Sequence, residues 1–235
     1  MTDHLLIATA ADCTKGYYES LKEQVVAAGV DFIYQPINPF SWRKLIQWEL
    51  AVARTYPKAL IAFCDTWDML YFGSRKEFES VVGAQPLLFH AEKRCWPDPS
   101  KFIEYPFCST PWRYVNGTGP AGTGEAIAEA IEYGMENYPI IGDEDDLHTT
   151  PPPDNDQRFY TDLYLDGFGK LDITCKLSQS LVDTVTGEFA VKDGRLVNKV
   201  TGTRPLFVHA NGATTMLGQK GLMDVLSSYR PERPW

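Results

Sequence analysis

The feature that most constrains this fold is a regular alternation between short apolar runs and longer segments with helical periodicity. One such segment begins near Tyr18 and reaches Gly29, and another begins after Ser41, a helix-capping residue type, and continues to about Arg54. Strands that alternate with helices favour an α/β fold with a mixed, mostly parallel sheet flanked by helices. The runs that predict the first four strands are HLLIATAA, DFIYQP, KALIAFCD and QPLLFHAE.

The second half of the chain predicts further elements of both kinds. GTGEAIAEAIEYGMENY and QRFYTDLYLDG have helical periodicity, with Ile127 and Ile131 on one face of the first. Asp193-Gly194 lies between two alternating runs and predicts a β-hairpin, and RPLFVHANG predicts another short strand. The segment from about Cys95 to Gly122 is rich in glycine, proline and aromatic residues and predicts ordered irregular structure. Because no repeat or linker is visible, we expect one domain over residues 1–235.

The composition argues against several classes of protein. The chain has 235 residues and a net charge of −9, which disfavours a general nucleic-acid or membrane-surface binder. Its start lacks the basic and apolar regions of a signal peptide, and no apolar run approaches the roughly 20 residues of a membrane span. We therefore expect a soluble, intracellular protein with no membrane partner. The five cysteines show no C-x-x-C spacing, so we expect neither a zinc site nor a disulfide framework.

Two carboxylates follow the third predicted strand. Asp65 and Asp68 come directly after the apolar run ALIAF. Two acids three residues apart in a turn can direct their oxygens at one hard cation, and a histidine from another strand, such as His209, can complete the shell. The alternative is that one carboxylate caps a turn while the other is solvated. The residues alone leave both interpretations open.

Two further segments allow both a structural and a functional interpretation. YVNGTGPAGTG, which begins at Tyr114, lacks the spacing of a dinucleotide fingerprint and the lysine of a P-loop. Its glycines indicate either close approach of the backbone to a substrate or a turn into a helix. PDNDQ places Asp154 and Asp156 before a helix, where the helix dipole alone accounts for acidic residues. Tryptophans near these loops, including Trp67 and Trp96, are either core residues or rings that stack on nucleobases or sugars.

Six segments together carry a resemblance to one family: LIAFCDTWDM, LLFHAEKRCWPD, YVNGTG, DNDQRFYTDLYLD, LDITCKLSQSL and LFVHANG. In this order and approximate spacing they resemble the glycosyltransferase domain of procollagen lysyl hydroxylase/glycosyltransferase (PLOD-type) proteins. The similarity covers nearly the whole chain. It implies a GT-A (Rossmann-like) fold, a manganese ion for which magnesium can substitute, and UDP-glucose or UDP-galactose as the donor.

Taken residue by residue, the resemblance implies that Asp65, Asp68 and His209 are the ligands of the metal ion. Trp67 stands where the family has an aromatic residue that stacks on uracil, and Trp96 would wall the sugar pocket. The other donor contacts that the resemblance implies are Thr9 and Ala10 toward the uridine, Lys44 as a donor-binding lysine, and Asn116, Asp156, Asn211 and Gly212 around the diphosphate and the sugar.

Two positions depart from the family pattern. Asn155 stands where the family has an aspartate. The residues that the resemblance implies for catalysis are Asp156, Asn155 and Trp96. Thr215 stands where the family has a lysine near the phosphates, and Lys220 is the nearest replacement. Asp156 would either orient a sugar hydroxyl or act as a base toward the acceptor.

The implied reaction is transfer of a hexose to a hydroxyl acceptor, either hydroxylysine of a collagen-like protein or a hydroxylated DNA base. The acidic balance weighs against DNA, because binding of the phosphate backbone depends on lysine and arginine. Two other classes stay open. A metal-dependent phosphodiester hydrolase or nuclease would use several carboxylates around two ions, and a non-catalytic nucleotide-sugar-binding module would bind the donor without turnover.

Overall fold

The computed structural model describes residues 4–138, 155–212 and 218–229, and its first elements confirm the predicted alternation. Ser41 caps the second helix by accepting a hydrogen bond from the Lys44 amide at 3.2 Å. Gly29 follows the first helix with φ +72°, a left-handed conformation that suits glycine. The elements are β1 (Leu5–Ala11), α1 (Tyr18–Ala27), β2 (Asp31–Pro36), α2 (Trp42–Thr55) and β3 (Leu60–Phe63).

The middle of the chain contains two strands that the sequence patterns do not predict. The first of them, β4, has three residues, too few to show an alternation. The second, β6, begins in the glycine-rich segment and leads into the predicted amphipathic helix. The elements are β4 (Met69–Tyr71), α3 (Arg75–Val82), β5 (Leu87–Glu92), β6 (Tyr114–Thr123) and α4 (Gly124–Asn137).

The prediction of irregular structure from Cys95 to Gly122 is therefore wrong for its last part. β6 has ten residues and lies in the centre of the main sheet. Glycine normally weakens a strand, so a glycine-rich segment such as this one is not predicted to form a strand. A Cβ atom at Gly122 would lie 2.1 Å from the carbonyl oxygen of Pro86, so glycine is what allows the neighbouring backbone to approach this closely. The preceding connection contains a short 3₁₀ helix, Pro99–Ile103.

The last part of the described chain confirms the predicted helix and hairpin. Asp193 and Gly194 have φ values of +53° and +74°, as a two-residue type I′ hairpin turn requires. The elements are α5 (Asp156–Leu165), β7 (Lys170–Leu171), β8 (Ser178–Ser180), a 3₁₀ turn (Thr186–Glu188), β9 (Phe189–Lys192), β10 (Arg195–Asn198), β11 (Phe207–His209) and α6 (Lys220–Ser227).

The main sheet has six strands in the order β2-β1-β3-β6-β5-β7. Its β6 runs antiparallel to both neighbours, whereas the other pairs are parallel, which confirms the mixed, mostly parallel sheet. Ile46, Ile127 and Leu163 bring α2, α4 and α5 against one face. Leu21 and Phe78 bring α1 and α3 against the other. The α/β class is confirmed, and one domain over all of residues 1–235 stays a prediction.

A smaller sheet, in the order β4-β11-β8, packs beside the main one and determines where the site forms. β11 pairs antiparallel with β4, so that His209 lies opposite Met69. β11 also pairs in parallel with β8, which places Ser180 on the other side of His209. Because β4 begins directly after Asp68, this register brings His209 next to the carboxylates that follow β3.

In the three described ranges, no helix combines the length and the apolar character needed to cross a membrane. Asp154 and Thr215, which the sequence singles out, lie outside those ranges.

Candidate active site

Asp65, Asp68 and His209 converge at one edge of the main sheet. His209 Nε2 lies 3.0 Å from Asp65 Oδ2 and 3.3 Å from Asp68 Oδ1. One potential ligand atom from each of the three residues lies within 4.8 Å of the others. The Ala210 amide donates a hydrogen bond to the Asp68 carbonyl at 2.9 Å and extends the β4–β11 pairing to the cluster. The β4–β11 register thus places His209 beside the short connection from β3 to β4 that carries Asp65 and Asp68.

The cluster has the unpartnered buried atoms that a cation site needs. Asp68 Oδ1 and His209 Nε2 are both buried and form no hydrogen bond of acceptable geometry, although they lie close together. A buried polar atom without a partner is costly, so such atoms in a native fold call for an explanation. Two carboxylate oxygens and one imidazole nitrogen form a donor set that suits Mn²⁺ or Mg²⁺. The residues present therefore fit a divalent cation.

Thr118 orients the imidazole from behind. Its Oγ1 lies 2.9 Å from His209 Nδ1 and 3.3 Å from Asp65 Oδ2, and it also hydrogen-bonds Asn116 Oδ1. When Nδ1 carries the hydrogen and donates it to Thr118, the lone pair of Nε2 faces the two carboxylates, as a metal ligand requires. The sequence analysis did not assign Thr118, because its importance depends on β6 lying next to β3.

The charges of Asp65, Asp68 and His209 shift one another's protonation. Burial by itself lowers the pKa of His209, but the charges of Asp68 and Asp65 and their contacts outweigh it and raise the pKa to about 10. Burial by itself raises the pKa of Asp65, but His209 and Thr118 lower it below its usual value overall. In the absence of a cation, a protonated His209 thus offsets part of the negative charge of the two acids.

Glu92, the last residue of β5, is a buried acid that the sequence analysis did not assign. Its Oε2 accepts hydrogen bonds from Asn116 Nδ2 at 2.8 Å and from Asn211 Nδ2 at 2.7 Å. Its Oε1 accepts one from Gln157 Nε2 at 2.9 Å. Burial raises the pKa of Glu92, whereas these three amides oppose that rise. One carboxylate therefore fixes side chains from three separate parts of the chain.

Asp156 and Asn155 form the start of α5 on the other side of the cavity. Asn155 accepts a hydrogen bond from the Arg158 amide at 2.9 Å, so its side chain caps the helix in addition to lining the cavity. Burial, followed by the charge of Asp65, raises the pKa of Asp156 well above its usual range. A Cβ atom at Gly117 would lie 3.0 Å from Asp156 Oδ1, so glycine in β6 leaves room for this carboxyl group.

These groups line an open cavity of about 400 Å³, within the usual range of roughly 300–1,000 Å³ for small-molecule sites. Trp67 is 41% exposed, which leaves its ring free to contact a ligand. The predicted residues that line the cavity are Asp65, Trp67, Asp68, Trp96, Asn116, Asn155, Asp156, His209, Asn211 and Gly212. Lining residues that the sequence did not assign are Trp42, Glu92, Arg94, Gly117, Thr118, Gln157 and Val182.

Four predicted site residues do not line this cavity. Thr9 is buried, and its hydroxyl lies 3.0 Å from that of Thr66. Ala10 lies beside it on β1. Lys44 donates a hydrogen bond to the Pro39 carbonyl at 2.8 Å, and Lys220 pairs with Asp224 on α6 at 2.6 Å. The structure thus brings the cluster of Asp65, Asp68 and His209, the amide groups and the tryptophans together and places the two lysines elsewhere.

The chain is similar in sequence to a known family of proteins and to several of its members. Residues 43–233 match the family described as PLOD GT domain. The human multifunctional procollagen lysine hydroxylase and glycosyltransferase LH3 is 32% identical over 168 residues, which cover 67% of this chain and 21% of that protein. The uncharacterized protein R699 of Acanthamoeba polyphaga mimivirus is 26% identical over 180 residues, covering 74% of this chain and 36% of that protein. The chain spans little more than a third, or less, of these relatives.

A solved structure shares the fold over nearly the whole chain. It is the crystal structure of a glycosyltransferase involved in the glycosylation of the major capsid of PBCV-1. The TM-score is 0.53 at 13% sequence identity, and the match covers 94% of this chain and 99% of that one. At this identity the likeness shows the fold alone.

Proposed function

The chain belongs to the PLOD GT domain family and is a glycosyltransferase domain with a GT-A fold, and on that premise we propose that it transfers glucose or galactose from a UDP-sugar to a hydroxyl acceptor. The observation that carries this proposal is the convergence of Asp65, Asp68 and His209, with unpartnered buried atoms, on the wall of a cavity of about 400 Å³.

Departure of the sugar leaves negative charge on the diphosphate, and the site is arranged to receive that charge. Asp65, Asp68 and His209 would hold the ion, Mn²⁺ or Mg²⁺. A bound divalent cation supplies Lewis-acid stabilisation of the diphosphate. Asn211 lies two residues after His209, and its amide is already fixed by Glu92 and by Ser180, whose hydroxyl donates to Asn211 Oδ1 at 2.7 Å. A donor fixed in this way loses little entropy when a substrate arrives.

The aromatic residues and Asp156 have separate roles in the proposal. Trp67 is the ring on which uracil stacks, and Trp96 borders the sugar. Asp156 is buried and lines the same cavity, where its Oδ1 accepts a hydrogen bond from the Gln157 amide at 2.7 Å. In the proposal, a substrate hydroxyl is a further partner of this carboxyl group. Burial, followed by the charge of Asp65, raises the pKa of Asp156, and in the proposal this carboxyl group orients a sugar hydroxyl or acts as a base toward the acceptor. Backbone atoms of Thr9 and Ala10 would contact the uridine from the end of β1.

For the acceptor we propose the hydroxylysine side chain of a collagen-like protein. The human relative is by name a procollagen lysine hydroxylase and glycosyltransferase. The cavity of the present chain is lined by four acids, Asp65, Asp68, Glu92 and Asp156, which favour an acceptor that carries an ammonium group close to its hydroxyl. A hydroxylated DNA base brings phosphates instead, which these acids repel.

The test is UDP release from a panel of UDP-sugars with Mn²⁺, with and without acceptors. We expect slow release without acceptor, a marked stimulation by a hydroxylysine peptide, and none by hydroxymethylated DNA. Asp65→Ala should stop release. Asp193→Asn is the matched control, because it removes an exposed carboxylate in a hairpin turn that does not line the cavity and keeps a residue type that tolerates the turn conformation.

Each outcome separates the candidate functions. No release and no UDP binding at saturating Mn²⁺ would reject the transferase. Binding without release would favour the non-catalytic module. Phosphodiester cleavage without a sugar acceptor would favour the hydrolase, for which the described residues offer a single three-ligand cluster rather than a site for two ions.

A further inference from the structure

The cavity has a pronounced imbalance of charge. Within the described part of the chain, four carboxylates line it, whereas Arg94 is the one lysine or arginine that does so. A UDP-sugar brings two further negative charges on its diphosphate, and cleavage adds another. A single divalent cation held by two aspartates does not offset that total. The site therefore needs a second positive group close to the phosphates.

The lysines that the sequence suggests do not provide it. Lys44 is bound to the Pro39 carbonyl, and Lys220 is bound to Asp224 on the exposed side of α6. Neither residue lines the cavity. Arg94 lies two residues after the end of β5 and lines the cavity, as do Glu92 and Trp96.

Arg94 is already oriented by a carboxylate. Its Nε and Nη2 donate to Asp183 at 3.2 and 2.7 Å, in the two-point geometry typical of arginine–carboxylate pairs. These bonds use two of its five N–H donors, which leaves three for a ligand. The Arg94 and Asp183 side chains are 57% and 52% exposed, and an exposed pair of this kind is weak. The guanidinium can therefore keep or exchange Asp183 at little cost when an anion binds.

The neighbouring residue holds Asp183 in place. Lys93 donates to the Asp183 carbonyl at 3.1 Å and forms an ion pair with Glu188. Its ammonium group also lies 4.9 Å from the centre of the Trp112 ring. Val182, next to Asp183, lines the cavity. Two consecutive basic residues thus fasten the segment after β8 to the segment after β5, and only the second of them faces the cavity.

Sheet order indicates which part of the donor Arg94 meets. From β1 the strands run through β3 and β6 to β5. In the proposed function the uridine lies at β1 and the metal ion at β3, so the end of β5 lies beyond the ion, on the side of the sugar. The group that a guanidinium would find there is the phosphate that carries the sugar.

We propose that Arg94, oriented by Asp183, binds the sugar-bearing phosphate of the nucleotide donor and stabilises it as the leaving group. This inference rests on the proposed function. In the step concerned, the bond between the anomeric carbon and the phosphate oxygen breaks, and its electron pair stays on that oxygen. The acceptor oxygen forms the new bond to the anomeric carbon and releases its proton to solvent. Arg94 donates to the oxygens of the phosphate throughout.

The experiment compares UDP with UMP, which lacks the phosphate in question. Affinities of both nucleotides are measured by calorimetry with saturating Mn²⁺ for the full chain and for Arg94→Ala, Arg94→Lys and Arg204→Ala. Arg204 is the matched control, because it also forms an exposed arginine–aspartate pair, with Asp193 at 3.3 Å, and does not line the cavity.

We expect Arg94→Ala to weaken UDP binding by roughly tenfold to a hundredfold, the usual loss for a charge-assisted hydrogen bond, and to leave UMP binding unchanged. Arg94→Lys should recover part of the loss, because a lysine keeps the charge without the two-point geometry. Arg204→Ala should match the wild type for both nucleotides.

Two results would overturn the inference, and they differ from failure of the proposed function. One is an unchanged ratio of UDP to UMP affinity in Arg94→Ala while the wild type binds UDP normally. The other is an equal loss for UDP and UMP, which would place Arg94 near the nucleoside. If the wild type shows no Mn²⁺-dependent UDP binding at all, the proposed function fails and this inference fails with it.

Discussion

Two cavities of similar volume lie in the described part of this protein, and each is lined by a buried aspartate. The two aspartates differ in how far their oxygens are hydrogen-bonded. The candidate active site measures about 400 Å³ and contains Asp68, whose Oδ1 has no hydrogen-bond partner. A second cavity, between α3 and the chain after β7, measures about 370 Å³ and is lined by Asp172. Asp172 accepts hydrogen bonds from the Leu177 and Ser178 amides at 2.6 and 3.3 Å and from the Thr174 hydroxyl at 3.0 Å.

The difference teaches how to separate a functional acid from a structural one. Burial raises the pKa of Asp172, while its backbone donors oppose that rise. Those donors complete its hydrogen bonding, so the aspartate organises a turn and needs nothing further. Asp68 and His209, by contrast, have buried atoms that form no hydrogen bond of acceptable geometry and lie where one cation would contact both. Cavity volume does not distinguish the two sites, whereas unsatisfied polar atoms do.

The largest effect should come from Asp68→Ala. We expect the rate of UDP release to fall by roughly a hundredfold to a thousandfold, the range seen when a preorganised electrostatic group is removed. The free energy of unfolding of the metal-free protein should fall only in part, because the ion pair of His209 with Asp68 is lost while that with Asp65 remains. Parallel measurement of UDP release and of urea denaturation checks both parts. A large loss of stability with normal activity in the surviving fraction would show that Asp68 is structural.

The converse change is Asp172→Ala. It leaves two backbone amides without their acceptor, so we expect a loss of roughly 1–3 kcal/mol in the free energy of unfolding. Mn²⁺ binding, followed by electron paramagnetic resonance of the free ion, should be unaffected. Asp172→Asn is the control, since its amide oxygen still accepts a hydrogen bond. Loss of Mn²⁺ binding by a folded Asp172→Ala protein would contradict the conclusion that Asp172 is a purely structural residue.

The two cavities should also differ in their response to pH. His209 has a pKa raised from 6.5 to about 10 in the metal-free protein. Its ion pairs therefore stabilise the metal-free fold fully below about pH 6.5, and this contribution is lost as the pH rises through about 10. A cation must displace that proton, so its affinity should increase by roughly tenfold per pH unit below the raised pKa. Mn²⁺ titrations at several pH values check this, and a flat profile would mean that His209 is not a ligand.

The smallest expected effect is on nucleotide affinity and comes from the aromatic residues. Within the described chain, tryptophans line the candidate active site but not the second cavity. Trp67→Ala should weaken UDP binding roughly tenfold, the typical size of a base-stacking contribution. Trp67→Tyr should keep most of the affinity, because it retains a ring. Phe107→Ala is the matched control, because Phe107 is 93% exposed and does not line the cavity. Equal affinities for Trp67→Ala and Phe107→Ala would remove uracil stacking from the proposal.

Local patterns in the sequence predicted most of the main sheet and its helices. The apolar runs of β1, β3 and β5 and the periodicity of α2 and α4 are readable because burial repeats along each element. β6 was missed because its glycines resemble loop composition, although they admit neighbouring groups such as the Pro86 carbonyl. β4 was missed because three residues do not establish a pattern.

The site was predictable only where its residues are close in the sequence or follow a strand. Asp65, Asp68 and His209 each end or follow an apolar run, and the structure brings them together. Glu92 gave no such signal, because its three amide partners lie 24, 65 and 119 residues away. Lys220 is predicted in the site as the nearest replacement for the lysine that the family has at the position of Thr215, but on α6 it pairs with Asp224.

The pairing of β11 with β4 has a consequence for how the chain can vary in evolution. Side chains alternate between the two faces of a strand, so a shift of one residue turns a ligand away from the site completely. An insertion within Phe207–His209 would therefore exchange the imidazole for an apolar group, whereas an insertion at the β9–β10 turn would leave the pairing intact. Related sequences should consequently differ in the length of the hairpin and of the connection that follows it, while the histidine keeps its position at the end of β11.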